Sequence, residues 1–178
     1  MRRQPFAAAA AGAAALAIAA GAAVPFGAAN SEPPPIAVEP LSPRGQFTDD
    51  VTMQLRVKPT GRSTGVINVL EPSRTVVAEI TVQPGAQFPW HTHPGPVVAN
   101  VASGELTYVY ADDCVHRPYP AGTVFIDPGH GNVHTAYTSS DEVTIVMATF
   151  FEAPAEGPLT IPAAAPTDCE VGTTTHEH

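Results

Sequence analysis

From residue 51 onward the chain is punctuated by turn signals, at Pro59-Thr60-Gly61, Pro84-Gly85, Ser103-Gly104, Pro120-Ala121-Gly122 and Ser139-Ser140-Asp141, and no window between them carries a helical period. The intervening runs alternate instead. Val51, Met53, Leu55 and Val57 are separated by polar residues, Val76, Ala78, Ile80 and Val82 by partly polar ones, and Val143, Ile145 and Met147 continue the pattern. Side chains two apart on a strand share a face, so such runs are strands with one face turned inward. Short strands cut at these intervals make a sandwich or a barrel. The expectation is an all-β chain with a single core.

Within that frame, His91-Thr92-His93 is the chemically informative segment. On a strand the two imidazoles point to one face and form a chelate that lacks a third ligand. Residues 82–87 read as a strand end and a Pro-Gly turn, and 97–101 and 106–110 as further strands. His134 follows Pro128-Gly129-His130-Gly131 at the head of another strand-like run, 132–138. A third imidazole from a different strand would complete a facial three-nitrogen site with open positions. Trp90 and Thr92 point away from the two His and read as packing or surface residues.

The spacing of these residues resembles the cupin superfamily. Gly85, His91, His93 and Gly104 occupy the positions of the family's first motif, with Val97 where a metal-binding Glu is usual. Gly122, Pro128, Gly131 and His134 follow the second motif with one extra residue before Gly131, and Thr138 stands where Asn is usual. The resemblance covers residues 75–152 and implies a single jelly-roll barrel, the double-stranded β-helix, over residues 48–152. It also implies a divalent transition metal on His91, His93 and His134, with Fe, Mn, Ni, Cu, Co and Zn all allowed. Three neutral imidazoles leave the ion its full charge, which favours an anionic or enolisable ligand at the open positions. The departures at Val97 and Thr138 leave open a barrel that has lost its metal.

Composition bounds the rest. Residues 1–29 carry Arg2 and Arg3, an apolar Ala-rich stretch and Gly27-Ala28-Ala29, which reads as a secretory signal peptide. The competing reading is a membrane anchor, weakened by Pro25, and both the general and the twin-arginine export routes remain open. Without those 29 residues the formal charge moves from −9 to −11, because two Arg and no acid leave. So acidic a chain excludes nucleic acid as a partner class. The expectation for the mature protein is an exported chain, periplasmic or secreted, with no integral membrane span, a small-molecule ligand or substrate, and room for a homodimer. Residues 30–47, rich in Pro, read as a linker or arm, and 153–178 as a tail. Cys114 and Cys169 are the only cysteines. In an exported chain an even count favours a disulfide, which would tie the tail, over two free thiols.

The other polar candidates read more plainly. His130 and His116 are placed at the surface, His176 and His178 in the tail, and Glu105 and Asp127 at a strand edge or turn, where either would be a candidate general base if it turned inward. Tyr108 and Tyr110 share a face, as core or pocket wall. There is no phosphate-binding glycine loop or dinucleotide fingerprint. Two functions remain open, a metal-dependent enzyme such as a dioxygenase or isomerase, and a non-catalytic binding or sensing module built on the same pocket.

Overall fold

The computed structural model describes residues 35–70 and 72–171. The signal-peptide segment and His176 and His178 lie outside them. Among the described residues there is no helix, and none is therefore long and apolar enough to cross a membrane. The strands are β1 (Ile36–Pro40), β2 (Gly45–Gln46), β3 (Met53–Val57), β4 (Gly65–Val69), β5 (Arg74–Val82), β6 (His91–Thr92), β7 (Val97–Ser103), β8 (Glu105–Tyr110), β9 (His116–Pro120), β10 (Val124–Asp127), β11 (His134–Tyr137), β12 (Thr144–Phe150) and β13 (Ile161–Pro162). One sheet runs β1-β5-β12-β7-β10, with β2 also on β5, and the other runs β13-β6-β11-β8-β9. The two pack as a double-stranded β-helix, the all-β barrel expected. The β3-β4 hairpin stands apart from both sheets.

Two segments read from sequence as an arm and a tail each contribute an edge strand. β1 pairs with β5 from Ile36 opposite Val82 to Pro40 opposite Ala78, and β13 pairs with β6, Ile161 opposite Thr92 and Pro162 opposite His91. Pro lacks the N–H of an interior strand but is tolerated at an edge, so Pro-rich composition hid an extended, paired backbone.

The inner faces supply two apolar clusters. Val82, Val101, Leu106, Tyr108, Tyr110 and Val146 belong to one, and Val76, Ala78, Val97, Ala148, Phe150 and Ala153 to the other. The inward face of β12 is Thr144, Val146, Ala148 and Phe150, not the Val143, Ile145, Met147 phase that alternation marked. β12 is apolar on both faces, and a register shift against β7 between Ile145 and Val146 accompanies the observed phase. Several inward positions carry only a methyl group. Ala99, Ala136 and Ala148 line a cavity of about 360 Å³ that larger side chains there would fill.

Outside the cavity lining, Arg62 and Arg117 lie over the Tyr110 ring, 4.3 and 5.1 Å from its centroid. Both pair with Asp113, at 2.6 and 2.8 Å, and Arg117 also donates to the Thr60 carbonyl at 2.9 Å. This cluster ties the β3-β4 connection to β8 and β9. Thr92 is buried with no partner for its hydroxyl. Removing such an orphan costs nothing in lost bonds, so Thr92→Val is expected to hold or raise stability by up to about 1 kcal/mol, read as the urea midpoint.

Candidate metal centre

The topology brings the three His side chains to one wall of the cavity. His91 lies on β6, His93 one residue beyond it, and His134 opens β11 directly opposite His91 in the ladder. All three are buried. Their ring centroids are 4.2 Å (His91–His134), 4.9 Å (His91–His93) and 5.2 Å (His93–His134) apart. One ligand atom from each lies within 4.8 Å of the others. Donors about 2.1 Å from a shared ion are at most about 4.2 Å apart. The set is thus slightly more open than a shared ion demands, within reach of a small ring rotation.

Backbone carbonyls orient the rings. Nδ1 of His91 faces the Pro89 carbonyl at 2.7 Å, Nδ1 of His93 that of Leu159 at 2.8 Å, and Nδ1 of His134 that of Asn132 at 3.3 Å. A neutral imidazole that donates through Nδ1 keeps a lone pair on Nε2, the tautomer a metal ligand requires. The donor set therefore fits a divalent transition ion. Burial pushes the His91 imidazole down to about 4, helped by the charge of His134, and burial also lowers His93 against the opposing pull of Asp127. Both are neutral near pH 7, as ligation demands.

The residue that sequence reasoning misplaced is Asp127. Expected as a turn or strand-edge carboxylate, it is only 3% exposed and turns into the cavity. Its Oδ2 lies 2.9 Å from Nε2 of His134 and 3.7 Å from Nε2 of His93. Tyr108 donates its hydroxyl to the same oxygen at 3.0 Å, and the Gly129 N–H donates to Oδ1 at 2.6 Å. Burial opposes ionisation of this carboxyl, yet the hydrogen bond and charge of His134, with His93, hold it below the ordinary range. Burial and the nearby Asp127 push the Tyr108 phenol well up, so it remains a donor. The period of two held a signal: Phe125 and Asp127 both line the cavity from β10.

The turn after Asp127 presses on the segment after His93. His130 N–H donates to the His93 carbonyl at 3.0 Å, and Gly129, at φ +60°, would place a Cβ 2.0 Å from the Gly95 carbonyl oxygen. Gly129→Ala is expected to cost about 3 kcal/mol, because the turn must move off residue 95 as well as hold an unfavourable φ. A chemical melt reads the loss.

Titration of His91 links the site to stability. The folded ring holds its proton only below about 4, against 6.5 for a freely solvated imidazole. Between those values the unfolded chain takes up a proton the folded one refuses. Its contribution is intact above pH 6.5 and falls away by about 3 kcal/mol as pH drops to 4. In chelator, His91→Gln should flatten the dependence of the urea midpoint on pH across that window.

The remaining candidates fall outside the His cluster. His130 is exposed and pairs with Glu152. His116 is exposed and its Nδ1 meets the Tyr137 hydroxyl at 2.9 Å. Glu105 opens β8 away from the cavity lining, whereas Tyr108 lines it and stacks on His134, ring centroids 4.7 Å apart. Val97, at the position of the usual Glu, is an apolar part of the cavity wall. Thr138, in place of the usual Asn, is buried and bonded to Ser140 and Thr144. Cys114 and Cys169 form a disulfide with Cα atoms 5.5 Å apart.

Residues 78–150, the stretch that carries both His motifs and the central strands of both sheets, match the family model described as the cupin domain. These residues carry a cupin domain. No curated protein matches the chain. Among solved structures it is similar to an uncharacterized conserved protein with a double-stranded beta-helix domain from Klebsiella pneumoniae, at 26% identity over 51% of this chain and 70% of that one, with a TM-score of 0.38. It is similar to a polyketide cyclase from Streptomyces resistomycificus at 21% identity, covering 66% of this chain and 72% of that one, with a TM-score of 0.44. Similarity to an oxalate decarboxylase with Mn(II) centres from Bacillus subtilis reaches 28% identity over 42% of this chain but 21% of that one, with a TM-score of 0.38.

Proposed function

We propose that this chain is exported, holds a divalent transition ion on His91, His93 and His134, and acts as a dioxygenase-type enzyme on a small, mostly apolar molecule that brings an oxygen donor to the ion. The observation that carries this reading is the convergence of three buried imidazoles, each with Nδ1 facing a backbone carbonyl, on the wall of an apolar cavity. When bound, such an ion supplies Lewis acidity and, if redox-active, one-electron chemistry with dioxygen. The chain's own groups do the rest. Phe88, Leu106, Phe125 and Phe150 exclude water and receive the apolar body of the ligand. Tyr108 keeps a proton beside Asp127, and Arg44 at the rim donates to the carbonyls of Pro154 and Gly157. The disulfide supports an oxidising compartment and thereby export.

Metal analysis of protein purified without chelator, followed by oxygen uptake with enolisable diketones, tests this directly. Iron or another redox-active ion with oxygen consumption is expected. Redox-inert zinc as the native ion would exclude the oxygenase. One observation favours a non-catalytic ligand-binding module as the second reading: Asp127 is engaged by Tyr108, Gly129 and His134, so no acid-base group stands free beside the imidazoles. Tight binding of the diketone without turnover is the signature of that reading.

A further inference from the structure

We propose that Asp127 is itself a ligand of the ion, supplying from β10 the carboxylate that Val97 does not supply from β7. The inference rests on the three-His reading above and deepens it. β10 and β7 are antiparallel neighbours, and their register sets Asp127 directly opposite Val97. Both side chains line the cavity. Directly opposed residues have Cβ atoms only about 5 Å apart, so a carboxylate moved between these two positions stays on the same wall.

Three observations place Asp127 on the metal side of the imidazoles. A carboxylate that merely orients a ligating His binds the ring nitrogen remote from the metal. Here the Nδ1 atoms of His93 and His134 already face the Leu159 and Asn132 carbonyls, and Asp127 faces their Nε2 atoms instead. Second, the separations from Oδ2 to two of the three rings, 2.9 Å to His134 and 3.7 Å to His93, fall inside the roughly 4.2 Å that two donors to one ion can span; the mutually close set is the three His alone, so ligation needs a side-chain rotation toward His91. The shorter is close to the ~3 Å between neighbouring ligands at right angles on such an ion. Third, the carboxylate is prepared for the role. Gly129 N–H fixes Oδ1 and the Tyr108 hydroxyl reaches Oδ2, while no Lys or Arg among the described residues pairs with it. A buried carboxylate facing ring nitrogens is stabilised by a cation between them. With Asp127 bound, one unit of the ion's charge is offset within the protein, and the demand for an anionic external ligand falls accordingly.

The test is Co(II) titration of the full chain, following affinity and the visible ligand-field spectrum, for wild type, Asp127→Asn, His134→Ala and the double variant Val97→Glu/Asp127→Asn. The expected result is Co(II) binding by wild type, more than about 100-fold weaker binding with an altered spectrum in Asp127→Asn, and recovery in the double variant. An outer partner would cost only about 10- to 100-fold and leave the ligand set unchanged. If Asp127→Asn binds with wild-type affinity and spectrum while His134→Ala does not bind, Asp127 is not a ligand and the three-His centre stands. If wild type takes up no Co(II), the three-His reading fails and this inference with it. Should Asp127→Asn not fold, 13C NMR of the Asp127 carboxyl carbon in wild type decides: a shift on adding Zn(II) is expected, and no shift with Zn(II) bound overturns the proposal.

Discussion

His134→Ala is expected to weaken divalent-metal binding by about 1000-fold, equivalent to about 4 kcal/mol. The reason lies in the placement of this ring. It opens β11 directly opposite His91, stacks on Tyr108 and meets Asp127 at 2.9 Å, so its removal takes away one donor and the contact that steadies another. Equilibrium dialysis with Co(II) or Zn(II) reads the effect, and near-UV circular dichroism confirms that the barrel persists. Retention of wild-type affinity would place the ion elsewhere. His116→Ala serves as the control, because that ring is exposed and bonded to Tyr137 away from the cavity.

Replacing both cysteines by Ser is expected to lower stability by about 4 kcal/mol, the loop-closure entropy of a bridge spanning 55 residues. For a chain of this size the melting temperature should fall by about 10 °C. Unreduced wild-type protein should show no reactive thiol. The loss should also reach the metal centre, since the bridge tethers the segment whose Leu159 carbonyl holds His93. A thermal melt and a Co(II) titration on the same variant separate the two effects. An unchanged melting temperature would mean that the unfolded chain gains no freedom from reduction.

The metal-ligand candidates were legible because their signal is local. His91 and His93 need only the period of two, and His134 sits at a motif position after a Pro-Gly turn. Asp127 was not legible, for it too lies beside Pro128-Gly129, and a carboxylate before a turn is ordinarily solvated. The phase it shares with Phe125 marks the inward face, but which face of β10 turns inward is fixed by its pairing with β7, a contact between segments some thirty residues apart. The phase of β12 was hidden for a related reason: Val143, Ile145 and Met147 are apolar, but so are Val146, Ala148 and Phe150, and pairing selects between the faces. β1 and β13 escaped notice because their segments read as a Pro-rich arm and a tail, although a sheet edge accommodates Pro40 and Pro162.

The hold of Leu159 on His93 has a consequence in time. The acceptor that orients this imidazole lies 66 residues further along the chain. A chain emerging from its N-terminus therefore presents His91 and His93 long before the carbonyl that aims the second of them exists in folded form. Cys169 emerges later still, so closure of the bridge follows. If the three His hold an ion as proposed, its capture at full affinity would be among the last events of maturation, and the choice of ion would fall to whichever compartment surrounds the finished chain.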